Sequence, residues 1–386
     1  MEFNPFDSQE KKMGLIKGTL TFCRYRVEEP LPDNFQDFTH RQIRKFAFRE
    51  LSMGSEEISF GWTSLENLLD TQFEYANYAA GDYLAFSFRL DRKKVPPSLA
   101  KIRYLEAERK ALGAKTKKFL SKGEKEEIKE RIHLDLLNKA FPVPSFFDVC
   151  WSLSQGWVTF GSLSPKVAEE FEKLFKKCFN LTLSPLVPWD PQRMDRSLAE
   201  KMISLKDGVF LNPQSPEQGK AGPPLLGREF LTWLWFKSEE RGGAVQVPGT
   251  GDVEVSFARR LALESGGGEY SESIICQGLH AGLKEGKAAI LDGKKVKDAR
   301  VQLGTGTEKF EFTLKADSFQ FQTLRLPEGI EEEEEEDKGG RLLERIYLME
   351  KAMKTTDQLF SAFLKRRLSP QWSTEEVPRI KKWLGK

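Results

Sequence analysis

Histidine and cysteine are scarce in this sequence of 386 residues, and their scarcity excludes several kinds of site. There are three histidines, none of them four residues from another, and four cysteines. The cysteines are widely separated, at Cys23, Cys150, Cys178 and Cys276. Because the common zinc sites need closely spaced pairs of these residues, the sequence predicts no metal and no other cofactor. Buried free thiols in a reducing compartment are expected instead.

Long apolar runs and a strong net charge are also missing. No apolar run approaches the roughly 18 residues that a membrane-spanning helix needs, so we expect no membrane partner. The N-terminus is polar and acidic and does not resemble a signal peptide, which predicts a cytoplasmic protein. With 60 basic and 58 acidic residues, the net charge is only +2. An argument for nucleic-acid binding must therefore depend on where the charges lie.

Positive charge is concentrated in residues 92–141, which the sequence predicts to be a projecting helical arm. From residue 92 to residue 131 there are fourteen Lys and Arg against six Glu. Gly113 and Gly123 are expected to break the arm into helical pieces. Its last part, residues 132–141, is apolar and is predicted to be the tip. The alternative is a solvated helical hairpin packed on its own domain, which is the commoner outcome for charge runs.

The order of the predicted elements indicates an α+β fold, in which helices pack on one face of antiparallel sheets. Residues 14–188 alternate strands and helices around the arm, and we interpret them as an N-terminal α+β domain. Residues 189–252 are predicted to be a linker or insertion that contains an apolar helix at 225–236. Residues 253–386 are predicted to form a C-terminal antiparallel sheet with helices.

The most apolar segment, LLGREFLTWLWF at 225–236, has three interpretations: a core helix, an exposed partner-binding surface and an interfacial membrane helix. The core helix is favoured, because Glu229 and Thr232 fall on one side and Phe230 and Trp233 on the other. Farther on, residues 309–326 alternate between apolar and polar side chains, as in a sheet with one open face. Seven consecutive acids at 331–337 predict a solvated loop or hinge.

The sequence contains no recognisable catalytic motif. The segment GLHAGLKEGK at 278–287 contains glycines and a lysine, but its spacing differs from that of a phosphate-binding P-loop. Ala288 also stands where that motif needs Ser or Thr. Acidic residues are numerous, yet no pattern among them points to a two-metal nuclease site. We therefore expect a binding protein and not an enzyme.

The order of motifs around the arm resembles that of the RdgC family, bacterial DNA-binding proteins associated with recombination. The strand YLAFSFRLDRKKVPPSLAK is followed by the arm LEAERKALGAKTKKFLSKGEKEEIKERIHLDLLNKAF. The hairpin and helix FFDVCWSLSQGWVTFGSLSPKVAEEFEKLF and the strand LSPLVP come next. Gly61 and Trp62 match a Gly-Trp pair that precedes the arm in the family. The resemblance covers residues 14–188; residues 189–260 look longer than in the short members, and the acidic run is extra.

The resemblance implies a ring-shaped homodimer that encloses double-stranded DNA with little sequence preference and restrains RecA-dependent recombination. A nucleoid-associated location in the cytoplasm follows from that function. The aromatic residue that ends the Leu-Leu-x-x-Ala-Phe motif belongs to the dimer contact at the arm tips, which assigns that contact to Phe141 and Leu137. The residues expected to bind DNA are Lys93, Lys94, Lys115, Lys117, Lys118, Lys122 and, from a weaker match in the C-terminal half, Lys287.

Two other functions stay open at this point. One is a protein-interaction scaffold, in which the apolar segment 225–236 and the C-terminal helices dock a partner and the arm is merely solvated. The other is a DNA exonuclease, a description given to some members of the family. A binding assay with duplex DNA and a competitor of random sequence distinguishes a scaffold from a DNA-binding protein. The same assay with magnesium would reveal degradation of DNA by an exonuclease.

Overall fold

The computed structural model describes most of the chain. The described residues are 14–32, 34–51, 56–74, 78–115, 119–205, 226–247, 249, 251–265, 272–278, 284–327 and 338–385. They contain thirteen β-strands and nine α-helices. The predicted acidic loop at 331–337 lies outside them.

In the first half of the chain, strands precede and follow two consecutive long helices. Its elements are β1 Leu20–Val27, α1 Phe35–Lys45, β2 Ile58–Thr63, β3 Ala79–Ala80, β4 Tyr83–Lys93, α2 Pro97–Lys115, α3 Lys122–Lys139, β5 Pro142–Ser152, β6 Trp157–Phe160, α4 Pro165–Phe179, β7 Leu183–Pro185 and α5 Arg196–Ile203. The strand expected in YLAFSFRLDRKKVPPSLAK is confirmed as β4, and the helix expected after the hairpin is confirmed as α4. So is the β5–β6 hairpin, whose turn ends at Gly156 with a φ of 66°.

The second half contributes six strands and four helices among the described residues. They are α6 Leu226–Glu239, β8 Ala244–Val247, β9 Gly251–Glu264, β10 Ser273–Gly278, α7 Lys284–Leu291, β11 Lys295–Thr305, β12 Glu308–Lys315, β13 Gln320–Arg325, α8 Lys338–Arg367 and α9 Val377–Leu384. The alternating segment at 309–326 forms two strands joined by a turn, because the apolar positions change phase between Leu314 and Phe319.

All thirteen strands belong to one sheet, and every pairing between them is antiparallel. Its main path is β10-β9-β11-β12-β13-β1-β6-β5-β4-β2. Strand β1 joins the two halves, since it pairs with β6 and β7 from the first half and with β13 from the second. Helices pack on this antiparallel sheet, which confirms the α+β class. The domain limits at 189 and 252 stay a prediction, and the sheet is continuous across them.

The N-terminal core lies between the sheet and helices α1 and α4. Helix α4 is amphipathic, begins with Pro165 in its first turn and ends at Asn180 in the left-handed conformation. Its buried face presents Phe171, Phe175 and Phe179 at helical spacing. The Phe171 ring stacks on Phe160 of β6, with 4.0 Å between the ring centroids. This aromatic packing fixes the part of the sheet from which α2 and α3 extend.

Helix α6 confirms the core interpretation of the apolar segment, because every residue from Leu226 to Phe236 is buried. The ring centroid of Phe230 lies 5.3 Å from that of Phe360 in α8. A Cβ at position 227 would lie only 1.9 Å from the carbonyl oxygen of Ala316, so glycine is needed where α6 meets the β12–β13 turn. Because the whole segment is buried inside the protein, its interpretations as a partner-binding surface or a membrane helix are wrong.

Candidate nucleic-acid interface

Helices α2 and α3 form a hairpin between the ends of two neighbouring strands. Strands β4 and β5 pair without interruption from Tyr83 opposite Ser152 to Lys93 opposite Pro142. Helix α2 leaves the end of β4, packs against α3, and α3 leads back to the start of β5. The 19 residues of α2 make it about 28 Å long at 1.5 Å per residue. The hairpin therefore has a base at the sheet and a far end where α2 ends and α3 begins.

The two glycines do not break the hairpin as the sequence predicts. Gly113 lies inside α2 and Gly123 inside the first turn of α3. The break instead ends at Ser121, which caps α3. The Ser121 backbone N–H donates to the Glu124 carboxylate at 2.8 Å, and the Glu124 N–H donates to the Ser121 hydroxyl at 3.3 Å. This reciprocal capping box satisfies two backbone donors and defines where α3 begins.

The predicted position of the apolar tip is wrong. Residues 132–141 lie at the end of α3 nearest the sheet, because Pro142 is the partner of Lys93. Phe141 is thus at the base of the hairpin, where it is 88% exposed, and Leu137 is only 2% exposed. The residue with an exposed ring at the far end is Phe119, which is 82% exposed and to which the sequence assigned no contact. The dimer-contact assignment of Phe141 and Leu137 stays a prediction.

The interior of the hairpin is thin and apolar, and its outside is charged. Ile128, Leu136 and Leu137 of α3 are buried. Between the helices, the Lys125 amine lies 3.2 Å from the Glu108 carboxylate. Ion pairs within one helix, such as Lys129 with Glu126 at 2.9 Å, are exposed and contribute little to stability. The hairpin surface is therefore free to serve a purpose other than holding the fold together.

The predicted DNA-binding lysines fall into two groups along the hairpin. Lys94 follows β4 at the base and is exposed, whereas Lys93 is buried at the strand end. Lys122 is the exposed first residue of α3 near the far end. Lys115 is the last residue of α2, but its side chain lies outside the described part of the chain, as do Lys117 and Lys118. The roles of all these lysines stay predictions.

Lys287 lies apart from the hairpin, in α7. Its amine is 2.7 Å from the Glu239 carboxylate of α6 and 4.5 Å from the ring centroid of Trp383 in α9. The Trp383 indole N–H donates to the same carboxylate at 2.7 Å. Lys287 thus links three helices, and its charge is already matched by Glu239. Its predicted contact with DNA stays untested.

Several cations on the hairpin belong to the charge excess of the arm but carry no motif of their own. They are exposed, and none forms an ion pair with another described residue: Lys101, Arg109, Lys110 and Arg131. The spacing of these residues in the sequence could not identify them, because whether each one forms an ion pair depends on where the acidic residues of the other helix lie. Together with Lys94 and Lys122, they place unpaired positive charge along the hairpin from base to far end.

Exposed apolar side chains accompany the charge at the base of the hairpin. Exposed apolar residues include Leu99, Ile102 and Leu105 of α2, Leu134 of α3, Phe141, and Val143 of β5. Single exposed apolar residues are common on protein surfaces, but six on adjoining elements are an unusual concentration. The hairpin therefore has an apolar surface at its base and one exposed aromatic ring at its far end.

Two properties of the described residues bear on other activities. They contain no group of three or more His, Cys, Asp and Glu arranged to hold a metal ion. In the same part of the chain, no helix has the length and hydropathy to cross a membrane.

The fold and this surface define an α+β protein in which one helical hairpin carries a local excess of positive charge. Residues 21–202, from β1 to α5, match the family described as "Putative exonuclease, RdgC". This part of the chain, somewhat less than half of its length, belongs to the RdgC family. The resemblance found in the sequence is thereby confirmed over the part that contains the hairpin.

Proposed function

We propose that this protein binds duplex DNA without sequence preference, as a ring-shaped homodimer, and thereby restrains RecA-dependent strand exchange. The observation that carries the proposal is the set of exposed, unpaired cations along the α2–α3 hairpin. Membership of a recombination-associated family supports it. On this proposal the protein acts by occupying DNA and is not an enzyme.

The chemistry of the hairpin suits contact with phosphates better than base reading. Contacts to the DNA backbone supply affinity without sequence information, and they need cations in number more than in fixed geometry. Lys94, Lys101, Lys110 and Lys122 are flexible point charges that can follow a moving phosphate, unlike the rigid fork of an arginine. A helix nearly 30 Å long can present such charges over several base pairs.

Binding to duplex DNA should weaken steeply as salt rises. Each phosphate that a lysine neutralises releases a counterion, so log K falls by about 0.9 per neutralised phosphate for each tenfold rise in salt. Six such phosphates would lower the affinity roughly 1,000-fold between about 50 and 200 mM salt. Fluorescence anisotropy with duplexes of two unrelated sequences measures both the slope and the sequence preference. A flat salt dependence, or a strong preference for one duplex, would contradict the proposal.

A ring of two subunits needs two separate contact regions on each subunit, and the hairpin offers two. One is the apolar surface at its base, which includes Phe141, and the other is Phe119 at its far end. Exposed aromatic rings of this kind are typical of the few side chains that dominate a protein interface. The proposal therefore places dimer contacts at both ends of the hairpin, whereas the sequence predicted a contact only through Phe141 and Leu137.

The variants Phe119→Ala and Phe141→Ala should each weaken the dimer by about tenfold or more, because each removes an aromatic anchor. The double variant should be largely monomeric at micromolar concentration. Sedimentation velocity over a concentration series measures both effects. Leu69→Ala is the matched control, since Leu69 is 81% exposed and lies away from the hairpin. Unchanged dimerisation of the double variant would exclude the hairpin from the dimer interface.

The family description gives one specific reason to test for nuclease activity. Incubation of an end-labelled duplex with the protein and magnesium, followed by denaturing gel electrophoresis, tests for it directly. Release of labelled nucleotides that chelation of the metal abolishes would replace the binding-only proposal by that of an exonuclease. The scaffold alternative loses the apolar segment as a docking surface, because α6 is buried in the core, and keeps only the C-terminal helices.

A further inference from the structure

A cavity of about 770 Å³ lies between helix α8 and the first half of the chain. Its walls come from β1, the β5–β6 turn, residues 186–193 and the middle of α8. The volume falls within the range of about 300–1,000 Å³ that is usual for small-molecule sites. The cavity is remote in sequence from the hairpin, and the proposed binding of duplex DNA makes no use of it.

The inner wall of the cavity is polar and firmly built. Arg24 is 5% exposed, and its two terminal nitrogens each donate to Asp357 at 2.9 Å. The Nε atom of Arg24 is buried and has no hydrogen-bond partner among the described residues. Beside it, the Tyr83 hydroxyl donates to Glu350 at 3.0 Å, and the Gln155 amide donates to the same carboxylate at 3.4 Å. Arg24 is the buried member of this group, and a buried donor without a hydrogen-bond partner is unusual in a folded protein.

The outer wall combines aromatic rings with unpaired cations. Trp157 lines the cavity as a buried ring, and Tyr347 lines it as an exposed one. Arg193 and Lys354 are exposed at the opening, and neither forms an ion pair with a described residue. Lys351, by contrast, is already 2.5 Å from Glu308. The opening therefore offers two available positive charges close to a stacking surface.

We infer that this cavity binds a nucleoside 5′-phosphate, with the phosphate at Arg193 and Lys354 and the base against Tyr347. Aromatic rings stack on any base, and a cation pair at the opening neutralises a phosphate that stays near solvent. The amide of Gln155 and the carboxyl of Glu350 provide a donor and an acceptor for the edge of the base. The same chemical group occurs in a free nucleotide and at the 5′-phosphorylated end of a DNA strand.

Isothermal titration calorimetry on the full-length protein tests the inference with three probes: dAMP, deoxyadenosine and a 5′-phosphorylated tetranucleotide. We expect dAMP or the tetranucleotide to bind at least tenfold more tightly than deoxyadenosine. Binding of dAMP identifies a free nucleotide as a ligand, and binding of the tetranucleotide alone identifies a strand end. Absence of binding by both phosphorylated probes overturns the inference.

Surface variants locate the binding without disturbing the fold. The double variant Arg193→Ala with Lys354→Ala should weaken binding at least tenfold. Tyr347→Ala should weaken it severalfold, and Tyr347→Phe should retain it, since only the ring is needed for stacking. The matched control is Lys284→Ala with Lys309→Ala, two exposed lysines that belong neither to the cavity nor to the hairpin, and it should leave binding unchanged. Loss of binding in this control, or full binding by the Arg193 and Lys354 double variant, would show that the phosphate is held elsewhere.

Discussion

Excision of the α2–α3 hairpin is expected to lower the affinity for duplex DNA at least about 100-fold near 100 mM salt, while the rest of the chain stays folded. The effect should be large because the exposed, unpaired cations of α2 and α3 are removed at once, and each neutralised phosphate adds to a counterion-release term. The slope of log K against log salt should become shallower by about 0.9 for each phosphate that is no longer neutralised. Anisotropy titrations at several salt concentrations measure both quantities.

The structure indicates how to make the excision cleanly. Residues 95–140 can be replaced by Asn-Gly, which would close β4 and β5 with a two-residue turn in their existing register. The buried residues of the hairpin, Leu120, Ile128, Leu136 and Leu137, belong to neither of the two main hydrophobic cores. Both cores should therefore survive. Circular dichroism checks the fold, and undiminished DNA affinity in a folded excision variant would refute the proposed interface.

A matched control for the excision removes positive charge elsewhere. Lys284 and Lys309 are exposed in the second half of the chain, and their double replacement by Ala changes the net charge without touching the hairpin. We expect the affinity of this variant to fall by less than a few-fold. A decrease comparable to that of the excision would mean that net charge, and not the hairpin, governs binding.

Glu376→Ala should destabilise the protein by about 3–5 kcal/mol, the cost of removing one partner of a buried ion pair. Glu376 is only 1% exposed, and its carboxylate lies 2.6 Å from the Lys237 amine. It also accepts a hydrogen bond from the Trp233 indole at 2.9 Å and lies 3.4 Å from Arg366. Removal of the carboxylate leaves the Trp233 indole N–H without its partner and takes one of two carboxylates from Lys237, which keeps Glu240. Chemical denaturation monitored by fluorescence gives the change in free energy of unfolding.

The exposed neighbour Glu375 is the control for this prediction. It pairs only with Arg366 among the described residues, at 2.7 Å and with more than half of its side chain exposed, so Glu375→Ala should cost less than about 1 kcal/mol. Equal effects of the two substitutions would mean that burial of Glu376 contributes nothing.

The stabilisation by Glu376 should also depend on pH in a defined direction. Burial tends to raise the pKa of this carboxyl, but hydrogen bonds from Lys237 and Trp233 outweigh burial and hold the pKa below its usual value. The folded state then binds fewer protons than the unfolded state. The contribution is complete above the unfolded pKa of about 4.3 and is lost as pH falls through the lower, folded pKa. The difference between the wild type and Glu376→Ala should therefore shrink below about pH 4.

Much of the fold can be predicted from the sequence because its signals are local. The apolar run around Phe86 and Phe88, the Gly156 turn and the helical spacing of Phe171 and Phe175 each involve a few neighbouring residues. Such patterns correctly predict strands, a hairpin and an amphipathic helix. The core position of α6 can also be predicted from its apolar residues, but the burial of Glu229 and Thr232, which the sequence places on a polar side, cannot.

The parts that sequence reasoning missed depend on contacts between distant residues. The glycines of the arm predict the wrong positions for its break. The residues that define the start of α3 are Ser121 and Glu124, and the same pair of residue types caps a helix only when it lies at a helix start. Lys287 pairs with Glu239, which lies some fifty residues earlier, and no local sequence pattern predicts this ion pair. The exposure of Phe119 likewise becomes visible only once α2 and α3 are packed against each other.

The position of β1 has a consequence for synthesis of the protein on the ribosome. This strand is made first, yet one of its two edges waits for β13, which is about 300 residues later: Phe22 pairs with Phe321. Until then a nascent chain carries an open strand edge, which invites pairing with a wrong neighbour. The sheet can therefore close only after β13 has left the ribosome, and protection of the open edge of β1 until then would limit misfolding.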